Sequence, residues 1–138
     1  MHSSYSRKSL VRKLGIKAGF KLAILNPPGN YENTLGELPK DITVTHEPVG
    51  RLDFVQIFAT DVKVLQNEFG RIRSGLDWNG MVWICWPKSS SGLQTSLNEN
   101  AVREIGLKNG LVDVKICAVD SVWSGLKFVR RREDRHQF

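Results

Sequence analysis

Three short apolar runs each end in a polar or aromatic tip, and this repeat limits the folds open to the chain. Lys21–Leu25 runs into Asn26-Pro27-Pro28-Gly29, Met81–Cys85 into Trp86-Pro87-Lys88-Ser89, and Val114–Val119 into Asp120 through Gly125. Apolar runs of this length, bounded by turn residues, are strand signals. If the three strands run parallel in one sheet, their tips share the edge at which open α/β sheets bind ligands.

Helical patterns lie between the runs. Ser9 is placed to cap a short helix carrying Leu10, Val11 and Leu14, and Gly15 stops it. The strand Phe20–Leu25 ends at Pro27-Pro28, because proline cannot continue a central ladder. Gly36 and Pro39 limit Glu32–Leu38 to a short helix. Ile42–Glu47 alternates like a half-exposed strand, and Asp53–Ala59 is nearly continuous, like a strand covered on both faces. Thr60 or Asp61 caps a helix in which Val62, Leu65, Phe69, Ile72 and Leu76 form one apolar stripe. Asn79-Gly80 reads as a turn into Met81–Trp86. Ser96 and Glu99 match a capping box for a helix lined by Ala101, Val102, Ile105 and Leu107 and ended by Asn109-Gly110. Val112–Val119 and Gly125–Val129 are the closing strands. Their link, Asp120–Ser124, is too short for a parallel crossover, which takes ~10 residues or more, so they pair antiparallel.

The order predicts an α/β fold: a three-layer, Rossmann-like arrangement around a mainly parallel sheet, with a C-terminal antiparallel strand pair. A generic α+β sandwich is the competing architecture. At 138 residues, a single α/β domain is expected over 10–132, between a basic tail at 1–9 and a C-terminal tail at 133–138.

Charge is concentrated at the ends. Of twenty basic residues, six lie in 1–21 with no acid, and five in 127–138 with two acids; the centre keeps nine basic against twelve acidic residues. Basic ends can hold nucleic-acid phosphates through counterion release, or serve only as solvated segments. No apolar run approaches the ~20 residues of a membrane span, and no apolar stretch follows the basic start to make a signal peptide. A cytoplasmic protein without membrane contact is expected. Cys85 and Cys117 lie inside apolar runs and read as structural thiols. Trp78 and Trp83 read as packing residues. His2, His46 and His136 are far apart, so no zinc spacing appears, and no Gly-x-Ser-x-Gly elbow is present.

The closing antiparallel pair, with the strand–helix alternation before it, resembles a shortened class I methyltransferase from Phe20 to Arg130. Finer motifs are similar to a small bacterial family of methyltransferase-like domains to which no activity is attached. They are Leu14 through Gly19, Trp86-Pro87-Lys88, Gly110 through Asp113 with Lys115, and Val119-Asp120 with Trp123 through Val129. The resemblance implies a fold and no catalytic residues. Class I methyltransferases cradle S-adenosylmethionine in a Gly-rich turn after the first strand. Here that turn reads Asn26-Pro27-Pro28-Gly29-Asn30, and two prolines remove two N–H donors. Glu47 stands near the place of the carboxylate that holds the ribose in that family. No cofactor is expected on this reading.

The candidate site is therefore the strand-tip edge: Asn26, Trp86, Lys88, Asp120, Trp123, Ser124 and Lys127. Lys88 can clamp an anion, Trp86 can stack on a flat ligand, and Asn26 can bridge tips or bond a ligand. The expected function is a non-enzymatic domain binding a partner protein or a small anionic ligand there. The alternatives are an enzyme of unknown reaction using Lys88 with Asp120, and a nucleic-acid accessory protein using the basic termini.

Overall fold

The computed structural model describes residues 9–135; of the two expected tails, residues 1–8 and 136–138 lie outside them. In chain order the elements are α1 (Leu10–Leu14), β1 (Lys21–Leu25), α2 (Tyr31–Leu35), β2 (Thr43–Thr45), β3 (Leu52–Phe58), α3 (Val62–Gly75), β4 (Leu76–Pro87), α4 (Glu99–Lys108), β5 (Leu111–Ala118) and β6 (Trp123–Arg130). One six-stranded sheet runs in the order β2-β1-β3-β4-β6-β5. The pairs from β2 to β4 are parallel, and β6 lies antiparallel between β4 and β5. This is the expected three-layer, mainly parallel sheet with an antiparallel C-terminal pair.

Strand alternation builds two cores. On one face Val55, Ile57, Val82, Ile84, Leu126 and Phe128 meet the stripe of α3 (Leu65, Phe69, Ile72) and Val102 and Ile105 of α4. On the other, Leu22, Ile24, Phe54, Phe58 and Trp83 meet Val11 and Leu14 of α1 and Tyr31 and Leu35 of α2. Trp83 is fully buried, and its indole N–H donates to the Leu14 carbonyl at 2.9 Å, fixing the end of α1 on the sheet.

Several local expectations change. Asn79-Gly80 is not a turn outside the strand: β4 already begins at Leu76, and its register with β3 shifts between Leu52 and Phe54. A Cβ on Gly80 would stand 2.8 Å from the Leu52 carbonyl oxygen, so only glycine fits this irregularity. Ser96 does not cap α4. Asn98 does, accepting from the Ala101 N–H, while the Ser96 hydroxyl accepts from the Val62 N–H at the start of α3. Trp78 is 41% exposed rather than core, with the Arg130 guanidinium 4.7 Å over its ring. Cys85 is buried as expected, its thiol pushed up to about 12 chiefly by burial; Cys117 is only half-buried.

Two substitutions test this packing. A Cβ on Gly106 would collide with the Phe128 ring. Alanine gains ~1 kcal/mol of helix propensity there, but overpacking costs about 1–3 kcal/mol, so Gly106→Ala is expected to lower stability in urea unfolding. The Tyr31 hydroxyl donates to the buried Gln56 Oε1 at 2.8 Å, and Gln56 Nε2 donates in turn to the Cys85 sulfur at 3.4 Å. Tyr31→Phe strands that buried oxygen and is expected to cost about 1–3 kcal/mol in the same measurement.

Candidate functional site

The parallel strands bring their C-terminal tips to one edge, and two cavities open there. The larger, about 1090 Å³, lies beyond the ends of β3 and β4. Its walls include Thr60, Asp61, Trp86, Lys88, Leu97 and Ser124. Antiparallel register places Ser124 opposite Trp86, so β6 forms one side of this cleft. The other side is the segment before α4, tied to the β3–α3 junction. Thr60 O accepts from the Ser96 N–H and the Thr95 hydroxyl, and the Ser96 hydroxyl meets Asp61 Oδ1 at 3.5 Å. In the sequence Thr60, Asp61 and Ser96 read only as caps of their own helices, and Thr95 gives no signal.

The smaller cavity, about 500 Å³, lies between α2 and the edge strand β2. Ile24, Pro27, Pro28, Leu35, Leu38 and Val44 give it apolar walls, and Asn30, Glu32 and His46 supply polar groups. The His46 ring is anchored by its Nδ1, 3.0 Å from the Ile24 carbonyl oxygen. Asn26 and Asn30 both hold positive φ, 55° and 60°, which lets the chain turn sharply past the two prolines. Tyr31 then lies across β3, edge-on to Phe58 at 4.8 Å. Its phenol is pushed up, first by burial.

Of the seven expected site residues, the structure brings Trp86, Lys88 and Ser124 into one cleft. Trp86 is only 6% exposed, so its ring is a floor packed in the core and not a stacking platform. Asp120 is taken up by the hairpin: one carboxylate oxygen accepts from the Val122 and Trp123 N–H groups, both at 2.8 Å. No ion pair among the described residues joins it to Lys88, so the expected Lys88–Asp120 acid–base couple is not formed. Trp123 turns to the opposite face, edge-on to Phe58 at 5.2 Å. Asn26 borders neither cavity. Lys127 is not at the edge; it sits mid-strand opposite Trp83. Glu47 does not line the smaller cavity, and Glu32 does. Of the eleven lysines and arginines of the basic ends, Arg7 and Lys8 lie outside the described residues. Among those residues no helix is long and apolar enough to cross a membrane, and no group of His, Cys, Asp or Glu is placed to hold a metal.

No protein-family model matches the sequence, and no curated protein does. Solved structures do match. Ribosomal protein L11 methylase from Lactobacillus delbrueckii subsp. bulgaricus has a TM-score of 0.60 at 13% identity, covering 89% of this chain and 75% of its own. A SAM-dependent methyltransferase from Aquifex aeolicus has 0.58 at 12%, covering 86% of each chain. Magnesium protoporphyrin IX methyltransferase from Synechocystis PCC 6803 with bound SAH has 0.57 at 12%, covering 88% of this chain and 78% of its own. These neighbours are methyl-transferring enzymes, and they overturn the expectation of a non-enzymatic binding domain. At such identities the likeness shows the fold: the chain has the class I methyltransferase architecture.

Proposed function

We propose that this chain is a methyltransferase of the S-adenosylmethionine-dependent type. The carrying observation is the 500 Å³ hollow at the tips of β1 and β2, within a fold similar to that of these enzymes. The prolines argue against a glycine-type cradle for the cofactor's amino-acid end, and the turn retains N–H groups only at Asn26, Gly29 and Asn30. The hollow beyond them fits the adenosine end. Its volume lies in the range of small-ligand sites, its walls are mostly apolar, and its polar groups are few. Glu32 is the carboxylate placed for ribose hydroxyls, and His46 is held by Ile24 on the same wall. When bound, adenosylmethionine supplies an activated methyl group. The 1090 Å³ cleft is the acceptor's place, with Trp86 and Leu97 as its apolar floor and Lys88 and Ser124 as its polar groups. Trp86 and Ser124 hold fixed positions because both lie in paired strands.

Binding of S-adenosylhomocysteine tests this reading. At about a hundredfold excess over Kd a ligand adds ~2.7 kcal/mol, so the melting temperature should rise by several degrees. Val44→Trp, which fills the hollow, is expected to abolish the shift. Glu32→Ala should weaken binding about tenfold in calorimetry. No thermal shift and no heat at millimolar S-adenosylhomocysteine would reject the assignment.

A further inference from the structure

Lys127 belongs to neither cavity, and its surroundings define a second site. It lies on the sheet face opposite α3 and α4, where Gly125 on the same side of β6 meets Trp83. Cross-strand register sets Lys115 directly opposite it. The Lys115 ammonium donates to the Lys13 carbonyl at the end of α1, 3.2 Å away. The Lys127 ammonium lies 4.0 Å from where a Cβ on Gly15 would stand, so it reaches the turn after α1. Lys17, on that turn, is close enough to act on it electrostatically. Three ammonium groups, from the turn after α1, β5 and β6, therefore gather on one face. Every ion pair among the described residues uses an arginine, and none reaches these lysines.

We propose that Lys17, Lys115 and Lys127 form a binding site for a small, multiply charged oxyanion of the diphosphate type, separate from both tip cavities. Lysine binds such groups as a point charge, and ammonium groups arriving from several segments can meet several oxygens at once. Lys127 is half-buried, while Lys17 and Lys115 are exposed, so the cluster has a recessed floor and an open rim. That shape favours a compact anion over an extended backbone. The Lys127 ammonium is held below the usual lysine range, by burial first and then by Lys115 and Lys17. A bound polyanion reverses that field, so binding at alkaline pH should draw in a proton.

Inorganic pyrophosphate is the probe, titrated calorimetrically into the full chain at constant ionic strength, in two buffers of different ionisation enthalpy. Saturable binding with Kd below about 1 mM is expected, with proton uptake as the pH rises into the ordinary lysine range. Lys127→Met should lose at least about tenfold in affinity and all proton uptake, yet melt no lower than the parent, since it removes a repelled charge. Lys115→Met should also weaken binding, and Lys108→Met, at the end of α4, should not. Absence of saturation, or equal affinity in the Lys127 and Lys108 variants, overturns the site. So does binding of a short DNA duplex through these lysines when pyrophosphate does not bind. S-Adenosylhomocysteine binding should be unchanged in Lys127→Met, which separates this site from the proposed cofactor hollow.

Discussion

The antiparallel insertion of β6 between β4 and β5 sets the position of every functional candidate beyond the β1–β2 hollow. Its register puts Ser124 beside Trp86 at the cleft, Gly125 beside Cys85, and Lys127 beside Trp83 and Lys115. A slip of one residue would exchange the faces. Lys127 would then enter the α4 contact now filled by Phe128 against Gly106. An unpaired ammonium there costs several kcal/mol, more than any single cross-strand pair returns. Gly125 completes the lock, since a Cβ there would stand 3.1 Å from the Trp83 ring.

Much of this architecture was legible in the sequence because periodicity carries it. The α3 stripe, the near-continuous β3 and the five-residue hairpin link each point to one arrangement, and their sum is the observed layer order. The failures share a cause: local signals whose meaning depends on distant chain. Asn79-Gly80 has turn chemistry, yet β3 pairs with the chain on both sides of it. Ser96 has cap chemistry, yet the approach of the β3–α3 junction gives its hydroxyl to Val62, and Asn98 takes the cap. Trp78 looks like core, yet the sheet ends around it and Arg130 covers its ring.

The site was legible only to the level of an edge. Trp86, Lys88 and Ser124 follow from strand direction alone. Asp120 was misread because a carboxylate two and three residues before free N–H groups closes its own turn before it can reach a partner. Trp123 was misread by alternation, which sends it to the face of Phe58 and Tyr31. Lys127 lies three residues below Ser124, ~10 Å down the strand at the usual rise, too far to share the tip. Its true neighbours, at positions 15, 17 and 115, lie in segments joined only by folding.

Beside the end of α1, Lys115 is exposed and Lys127 half-buried, so this part of the sheet face must carry polar groups, and lysines on β5 and β6 satisfy that need. Solvation alone, however, explains neither their single sign nor their crowding. Interspersed acids would hydrate the face equally well and would lower the repulsion. The centre of the chain has more acids than bases, yet its ion pairs go to Arg51, Arg71 and Arg103 elsewhere. The sign of the Lys127 shift adds to this. A lysine held below its ordinary value binds fewer protons folded than unfolded, so stability rises with pH from the folded value to the ordinary one. Below that window, at neutral pH, the protonated side chain works against the fold. A methionine would fill the half-buried stem's space without that penalty. Departures from local consistency of this kind concentrate where a protein binds something, and here the missing complement to three ammonium groups is an anion.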